Sequence, residues 1–229
     1  MKPAAALRMR QQSSGGGGSD PFFSSVVALL HMDGTNGSTT FTDQKGHTFS
    51  AGGSAALTTA QQKFGTASLD LNGTNAYITT PTSTDWDFGS GDFTIEAWVR
   101  ITAAQRGAIY HRGTSAQLYL EIEAGRTLRL LANSGTYVVA STALIALNTW
   151  THVAGTRNGG FIDVFVGGVK QSPVAISGSI NASTDPMRIG ADVVNARRVA
   201  GQIDDVRVTK GVCRYTATFT PPAAPFPDS

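Results

Sequence analysis

Phe93-Thr94-Ile95-Glu96-Ala97-Trp98-Val99-Arg100-Ile101 alternates strictly between two sets of residues. Successive strand side chains point to opposite faces, so Phe93, Ile95, Ala97, Val99 and Ile101 share one side and Thr94, Glu96, Trp98 and Arg100 the other. This predicts a β-strand with one face in a core. Similar alternation recurs in Leu118–Glu123, in Leu128–Leu131 and in Ile203–Val208, while Phe161–Val166 leads into a Gly167-Gly168 hairpin turn before Val169. Many short strands punctuated by turns predict an all-β sandwich. No window of helical length carries an apolar stripe unbroken by glycine, proline or β-branched residues, which argues against a doubly wound α/β fold. The segment from Phe219 to Pro227 cannot enter a central strand, because its prolines lack the ladder donor. It is predicted to lie extended over the surface, pinned by Phe219 and Phe226.

The composition agrees with this reading. The 229 residues are 41% hydrophobic and only 15% charged, and they lean toward Thr, Val, Ile, Gly and Ala, which favours strands in a single globular unit. A formal charge of +2 is too small to steer the molecule toward nucleic acid or anionic lipid. Neither a specific nucleic-acid partner nor a membrane span is expected. The charge is unevenly placed, however, with Lys2, Arg8 and Arg10 unopposed until Asp20. Gln11 to Ser19 is Gly/Ser-rich and offers no apolar surface to offset its ordering entropy, so residues 1–20 read as a basic arm and linker and 21–229 as the domain. The arm either idles or docks into another subunit through Lys2, Leu7, Arg8 and Arg10. Cys213 is the only cysteine, so packing, alone or with a metal, must hold the fold, and a reducing compartment suits it. Arg8 interrupts the apolar run after Lys2 before it reaches signal-peptide length, so Sec-type export is not expected.

Five stretches carry a resemblance. They are Val26–Gly34, Phe64–Leu69, Trp86-Asp87-Phe88 with Asp92–Val99, Asn148–Ala154, and Gly201–Gly211. In this order they resemble the laminin-G-like branch of the concanavalin A-like superfamily, and the ending Arg214–Pro222 resembles the version encoded by tailed phages. The resemblance implies a jelly roll of two curved antiparallel sheets, about six or seven strands each. It also implies a virion protein that decorates the capsid or belongs to the tail. Such a protein is made in the host cytoplasm and released by lysis, with other virion proteins as partners and self-association, a trimer for instance, favoured by particle symmetry. The same fold serves lectins and enzymes, so a carbohydrate-binding module and a glycan hydrolase are the rival readings.

A retaining hydrolase needs two carboxylates about 5 Å apart across a cleft. Glu121 and Glu123 share a strand face, but the Glu-x-Asp-x-x-Glu signature of the superfamily's glucanases fails at Arg126, where the last carboxylate would stand. Glu96 lies beside Arg100 on its strand face and is expected in a cross-strand charge or hydrogen-bond pair. Cys213 and the histidines His31, His47, His111 and His152 come with no nucleophile elbow, and Gly15–Gly18 lacks the Lys-Ser/Thr of a phosphate loop. The expectation is a protein without enzymatic activity. Many of the relatives so implied hold Ca²⁺ on Asp and Asn oxygens. The candidate ligands are Asp43 with Asp204 or Asp205, and alternatively the acidic loop Asp85, Asp87 and Asp92; against both, aspartates in glycine-rich turns cap backbone amides without any metal. For a surface glycan, Tyr110, Tyr119 and Tyr137 are candidate platforms and Arg112 and Asn133 candidate hydrogen-bond donors. Trp86, Trp98 and Trp150 are expected as fillers of the core.

Overall fold

The computed structural model describes residues 18–113, 117–194 and 196–229. Lys2, Leu7, Arg8 and Arg10, proposed above as anchors, lie outside the described residues. In chain order the strands are β1 (Val26–Leu30), β2 (Ser50–Gly52), β3 (Ala56–Thr58), β4 (Ser68–Asn72), β5 (Tyr77–Thr80), β6 (Phe93–Ile101), β7 (Gly107–Arg112) and β8 (Leu118–Ile122). They continue with β9 (Thr127–Ala132), β10 (Tyr137–Leu144), β11 (Thr151–Asn158), β12 (Phe161–Val166), β13 (Val169–Lys170), β14 (Val174–Ala175), β15 (Met187–Ile189) and β16 (Ala200–Lys210). Two 3-10 turns, Phe23–Ser25 and Thr84–Trp86, are the helical elements among the described residues, and none is long and apolar enough to cross a membrane.

The strands form two antiparallel sheets packed face to face, a jelly-roll sandwich. The first runs β13-β12-β11-β6-β16-β4-β3, with β1 also paired to β16 and β14 to β12, and the second runs β10-β9-β8-β7-β15-β5-β2. Nine strands in the first sheet exceed the expected six or seven because two long strands each take two short partners on one edge. Along β16, Val206–Thr209 pairs with β1 and Ala200–Ile203 with β4; along β12, Phe165 and Val166 pair with β13 and Phe161 and Ile162 with β14. Nine segments thus occupy seven positions.

Phe93, Ile95, Ala97, Val99 and Ile101 of β6 all lie in one continuous core with Leu120, Leu130, Ile162, Val164 and Ile203. Gly155 sits opposite Ile95 and Val164 and faces the second sheet closely: a Cβ there would stand 3.0 Å from Leu120 Cδ1 and 3.1 Å from Leu130 Cδ1. Trp86 fills the core as expected, at 1% exposure, but Trp98 lies on the outer face of the first sheet, edge-on to Phe64 and His152, and Trp150 is partly exposed.

The outer face of the first sheet is buried as well. Thr94, Glu96, His152, Thr156, Asp163, Phe165, Arg207 and Thr209 lie under the C-terminal segment, which runs extended as predicted. Tyr215 and Phe219 stack 3.7 Å apart and reach Phe165 and His152, while the Phe226 ring lies 3.8 Å from the Arg207 guanidinium. The Phe219 amide donates to Gly168 O at the β12–β13 turn; Gly168 has φ +77°, and a Cβ there would meet Phe219 O at 2.1 Å. At Gly155 a branched side chain has no room, so Gly155→Ile is expected to cost about 1–3 kcal/mol or more through overpacking, read as a lower urea midpoint with an unchanged slope.

Candidate functional site

The first cluster of chemistry lies under the C-terminal segment. Arg207 faces Glu96 across the β16–β6 pair and donates to Glu96 Oε1 from Nε at 2.9 Å. His152 Nε2 lies 3.1 Å from Glu96 Oε2, and Tyr215 donates its hydroxyl to the same oxygen at 2.7 Å. Arg207 Nη1 also reaches Asp20 Oδ2 at 3.1 Å, and Arg214 grips Asp20 with Nη1 and Nη2 at 3.0 and 2.7 Å. Burial alone would push the Glu96 carboxyl up, but Arg207 with His152 and Arg214 outweighs it and holds the group well below the usual carboxylate range. The cross-strand charge pair expected for Glu96 is thus made with Arg207, while Arg100, beside it on the same strand, bonds Gln202 at 2.9 Å. Asp20, assigned above to the arm, is 6% exposed and belongs to the domain.

The proposed calcium grouping is not assembled. Asp43 Oδ1 accepts the Leu29 amide at 2.7 Å and Oδ2 the His47 amide at 2.9 Å, so it caps backbone donors. Asp204 Oδ2 accepts the amides of Lys63 and Phe64, and burial first, then Asp205, pushes its carboxyl up to about 7. Asp205, at φ +49° in a bulge of β16, accepts the Phe226 amide and a His31 Nδ1–H at 2.7 Å. The loop alternative also disperses: Asp85 meets His47, Asp87 meets Arg112, and Asp92 accepts the Gly159 amide. Among the described residues no three His, Cys, Asp or Glu side chains gather for a metal.

The Glu121 and Glu123 pair sits on the outer face of the second sheet inside an arginine cluster. Arg106 Nη2 lies 3.2 Å from both carboxylates, Arg129 contacts both, and Arg197 Nε lies 3.1 Å from Glu121 Oε2. Burial raises the Glu121 carboxyl, but Arg129 and Arg197 outweigh it and keep it below its ordinary value. An acid so held ionised cannot donate a proton to a leaving group at neutral pH. Cys213 is buried, with Sγ donating to Tyr215 O and its thiol raised by burial, so no ready nucleophile stands there either.

The glycan candidates scatter. A bulge between Ala108 and Tyr110 turns both Ile109 and Tyr110 into the core, so Tyr110 is fully buried and presents no ring face. Tyr119 stays on the outer face but is 3% exposed, packed at a tilt against His111 at 4.0 Å with Arg197 over its ring. Burial, then Arg188 and Arg197, pushes His111 down to about 3 and leaves it neutral. Asn133 and Tyr137 pin the 177–181 loop, through Ser179 O and the Asn181 amide for Asn133 and Ser177 O for Tyr137.

Arg112 is buried behind an open cleft. Its Nη2 reaches Thr82 Oγ1, Asp87 Oδ1 and Ser183 O, and beyond them lies an open cleft of about 470 Å³ lined by Asp87, Gln117, Ala182, Ser183, Thr184 and Asp185. Sequence reading missed Gln117, Ser183 and Asp185. The one signal was the turn chemistry of Ser183-Thr184-Asp185, where Ser183 Oγ accepts the Asp185 amide at 3.0 Å.

Two antiparallel sheets in this order, with their loops gathered at the ends, define a concanavalin A-like jelly roll. Residues 72–214 match the Laminin_G_3 family, of the concanavalin A-like lectin/glucanases superfamily, and the chain belongs to that family. Among solved structures it is similar to the binding domain of Paraclostridial Mosquitocidal Protein 1 (TM-score 0.64, 14% identity, 84% of this chain and 51% of that one). It is similar to the botulinum neurotoxin serotype D binding domain (TM-score 0.61, 14% identity, 85% and 51%), so the chain spans about half the length of these toxin domains. It is also similar to domain 4 of an extracellular arabinanase from Geobacillus stearothermophilus in complex with arabinotriose (TM-score 0.58, 17% identity, 82% and 93%). No curated protein sequence matches the chain.

Two outcomes are expected. Glu96→Ala leaves Arg207 buried and unpaired and should cost about 3–5 kcal/mol in urea denaturation at pH 7; a loss under 1 kcal/mol would remove the cluster's structural role. His31 is bracketed by Asp205 and Asp228 at 2.7 Å each; burial lowers its pKa, but the two carboxylates outweigh this and raise it to about 9. A raised histidine contributes stability that is fully present below the unfolded value of 6.5 and lost as pH rises through about 9. Discounted for solvent screening to about 1 kcal/mol, this amounts to ~2–4 °C of Tm, which His31→Gln should lack between pH 7 and 10.

Proposed function

We propose that the chain is a non-enzymatic recognition domain displayed on a tailed-phage virion, as a capsid decoration or a tail component, and tethered through its basic arm. The observation that carries the non-enzymatic part is the fate of Glu121 and Glu123: three arginines occupy the carboxylates that a hydrolase would keep free. The form of the C-terminal ending, Arg214–Pro222, supports the virion setting. The root of the arm supports the tether, because Asp20 is locked by Arg207 and Arg214 into the centre of the first sheet and its amide donates to Ser229 O. Load from the arm therefore enters the domain through strands buried on both faces. Self-association, a trimer for instance, fits the symmetry of a particle. Synthesis in the host cytoplasm and release at lysis complete the reading.

The second reading, a carbohydrate-binding module, is compatible with the first and is favoured by the likeness to the arabinanase domain crystallised with arabinotriose. The tether is tested by deleting residues 1–19, a boundary that spares Asp20. The truncated protein should keep its melting temperature and fail to join particles; normal incorporation would overturn the anchoring role. Deletion through residue 20 should in addition lower stability, by about 1–3 kcal/mol for the hydrogen-bonded arginines it leaves unpaired.

A further inference from the structure

We propose that one side of the sandwich is the contact between two copies of this chain, which gives the self-association in the reading above a surface and rests on that part of it. The side lies where both sheets end: β10 closes the second sheet, while β13 and β14 share the outer edge of β12 in the first. Residues 130–184, which build it, hold three charged side chains, Arg157, Asp163 and Lys170, although 15% of the whole chain is charged. Arg157 and Asp163 are buried, so Lys170 is the one charge of this stretch that reaches the surface, and Asp163 lies 3.5 Å from its Nζ. A soluble surface ordinarily carries about 25–35% charged residues.

A second observation comes from the apolar groups. Five large apolar side chains are exposed among the described residues, and four of them, Leu144, Leu147, Phe161 and Val169, fall within the same stretch at 39–52% exposure. They share one side. Phe161 faces Ala175 across the β12–β14 pair, Val169 lies at the other end of β12, and Gln171 Oε1 accepts the Thr142 and Ala143 amides at 3.0 and 3.4 Å beside Leu144. Tyr137 donates to Ser177 O, so the loop that leaves β14 is tied to β10 as well. Depleted charge together with exposed apolar groups is the composition of an interface core. The charge pattern also selects the occupant. A surface set against its own copy across a two-fold axis meets every charge that it carries, so an uncharged side is complementary to itself, whereas a charged partner gains no attraction from it. Size permits the contact, since a standard interface takes about 800 Å² from each partner, less than a tenth of the chain's 9901 Å².

The test is sedimentation equilibrium of the full chain over a hundredfold range of concentration. The expected result is a species of twice the chain's 23.9 kDa, its dissociation constant raised tenfold or more by Leu144→Lys and by Phe161→Lys. Both side chains are half exposed, so each variant should keep its melting temperature. Val194→Lys, which changes the exposed apolar group outside this side, should leave the dimer intact. Lysines at both positions, or glutamates at both, should give monomers alone and a dimer when the two variants are mixed, because opposite charges then meet across the contact. A monomer at every concentration, a trimer, or a dimer that both lysine variants leave intact overturns the proposal; deletion of the arm reads the tether separately, so that part of the reading stands or falls by itself. A monomer whose incorporation into particles is lost in Leu144→Lys assigns the side to another virion protein and overturns the proposal as well.

Discussion

The fold turns on one buried ion pair, Glu96 with Arg207, at the middle of the two strands that make the most extensive pairing in the first sheet. A lone charge in that position would be untenable, so each group obliges the other, and both require further partners to saturate their remaining hydrogen-bonding capacity. Those partners arrive from opposite ends of the chain: Asp20 from before β1, and Arg214 and Tyr215 from after β16. The pair therefore determines where both termini of the domain must lie. It also explains why the C-terminal segment can be rich in proline and contribute no strand, since its task is to cover charges and aromatic rings rather than to extend a ladder.

The strands themselves were legible in the sequence because alternation is local. Every inward residue assigned to β6 is in the core, and the C-terminal aromatic pins lie where the prolines implied. One error arises where a strand breaks its own period. Tyr110 read as an outward platform until the bulge after Ala108 turned it inward. A bulge adds one residue and flips everything beyond it, and nothing in the identity of Ala108 announces it. The burial of the outer face was equally hidden, because Tyr215 reaches Glu96 across a sequence separation of 119 residues.

The site was less legible than the fold for a related reason. Aspartates, glutamates and tyrosines were selected for chemistry that they could perform if exposed, yet the long-range contacts consumed them. Asp43 caps the Leu29 amide, Asp205 holds His31 and the Phe226 amide, and Glu121 is ringed by three arginines. Arg112 stands apart because it is the last residue of β7, at the end of the sandwich.

This pattern separates the work of the faces from that of the ends. Both outer sheet faces carry acids encircled by arginines, Glu96 on one and Glu121 on the other, and both acids lie below their ordinary pKa for the same reason: local cations outweigh burial. Acids held in this way stabilise a sheet and resist protonation, which suits them to structure and unfits them for proton transfer. On the recognition reading, faces committed to ion pairs leave the loop ends of the sandwich as the surface for contact.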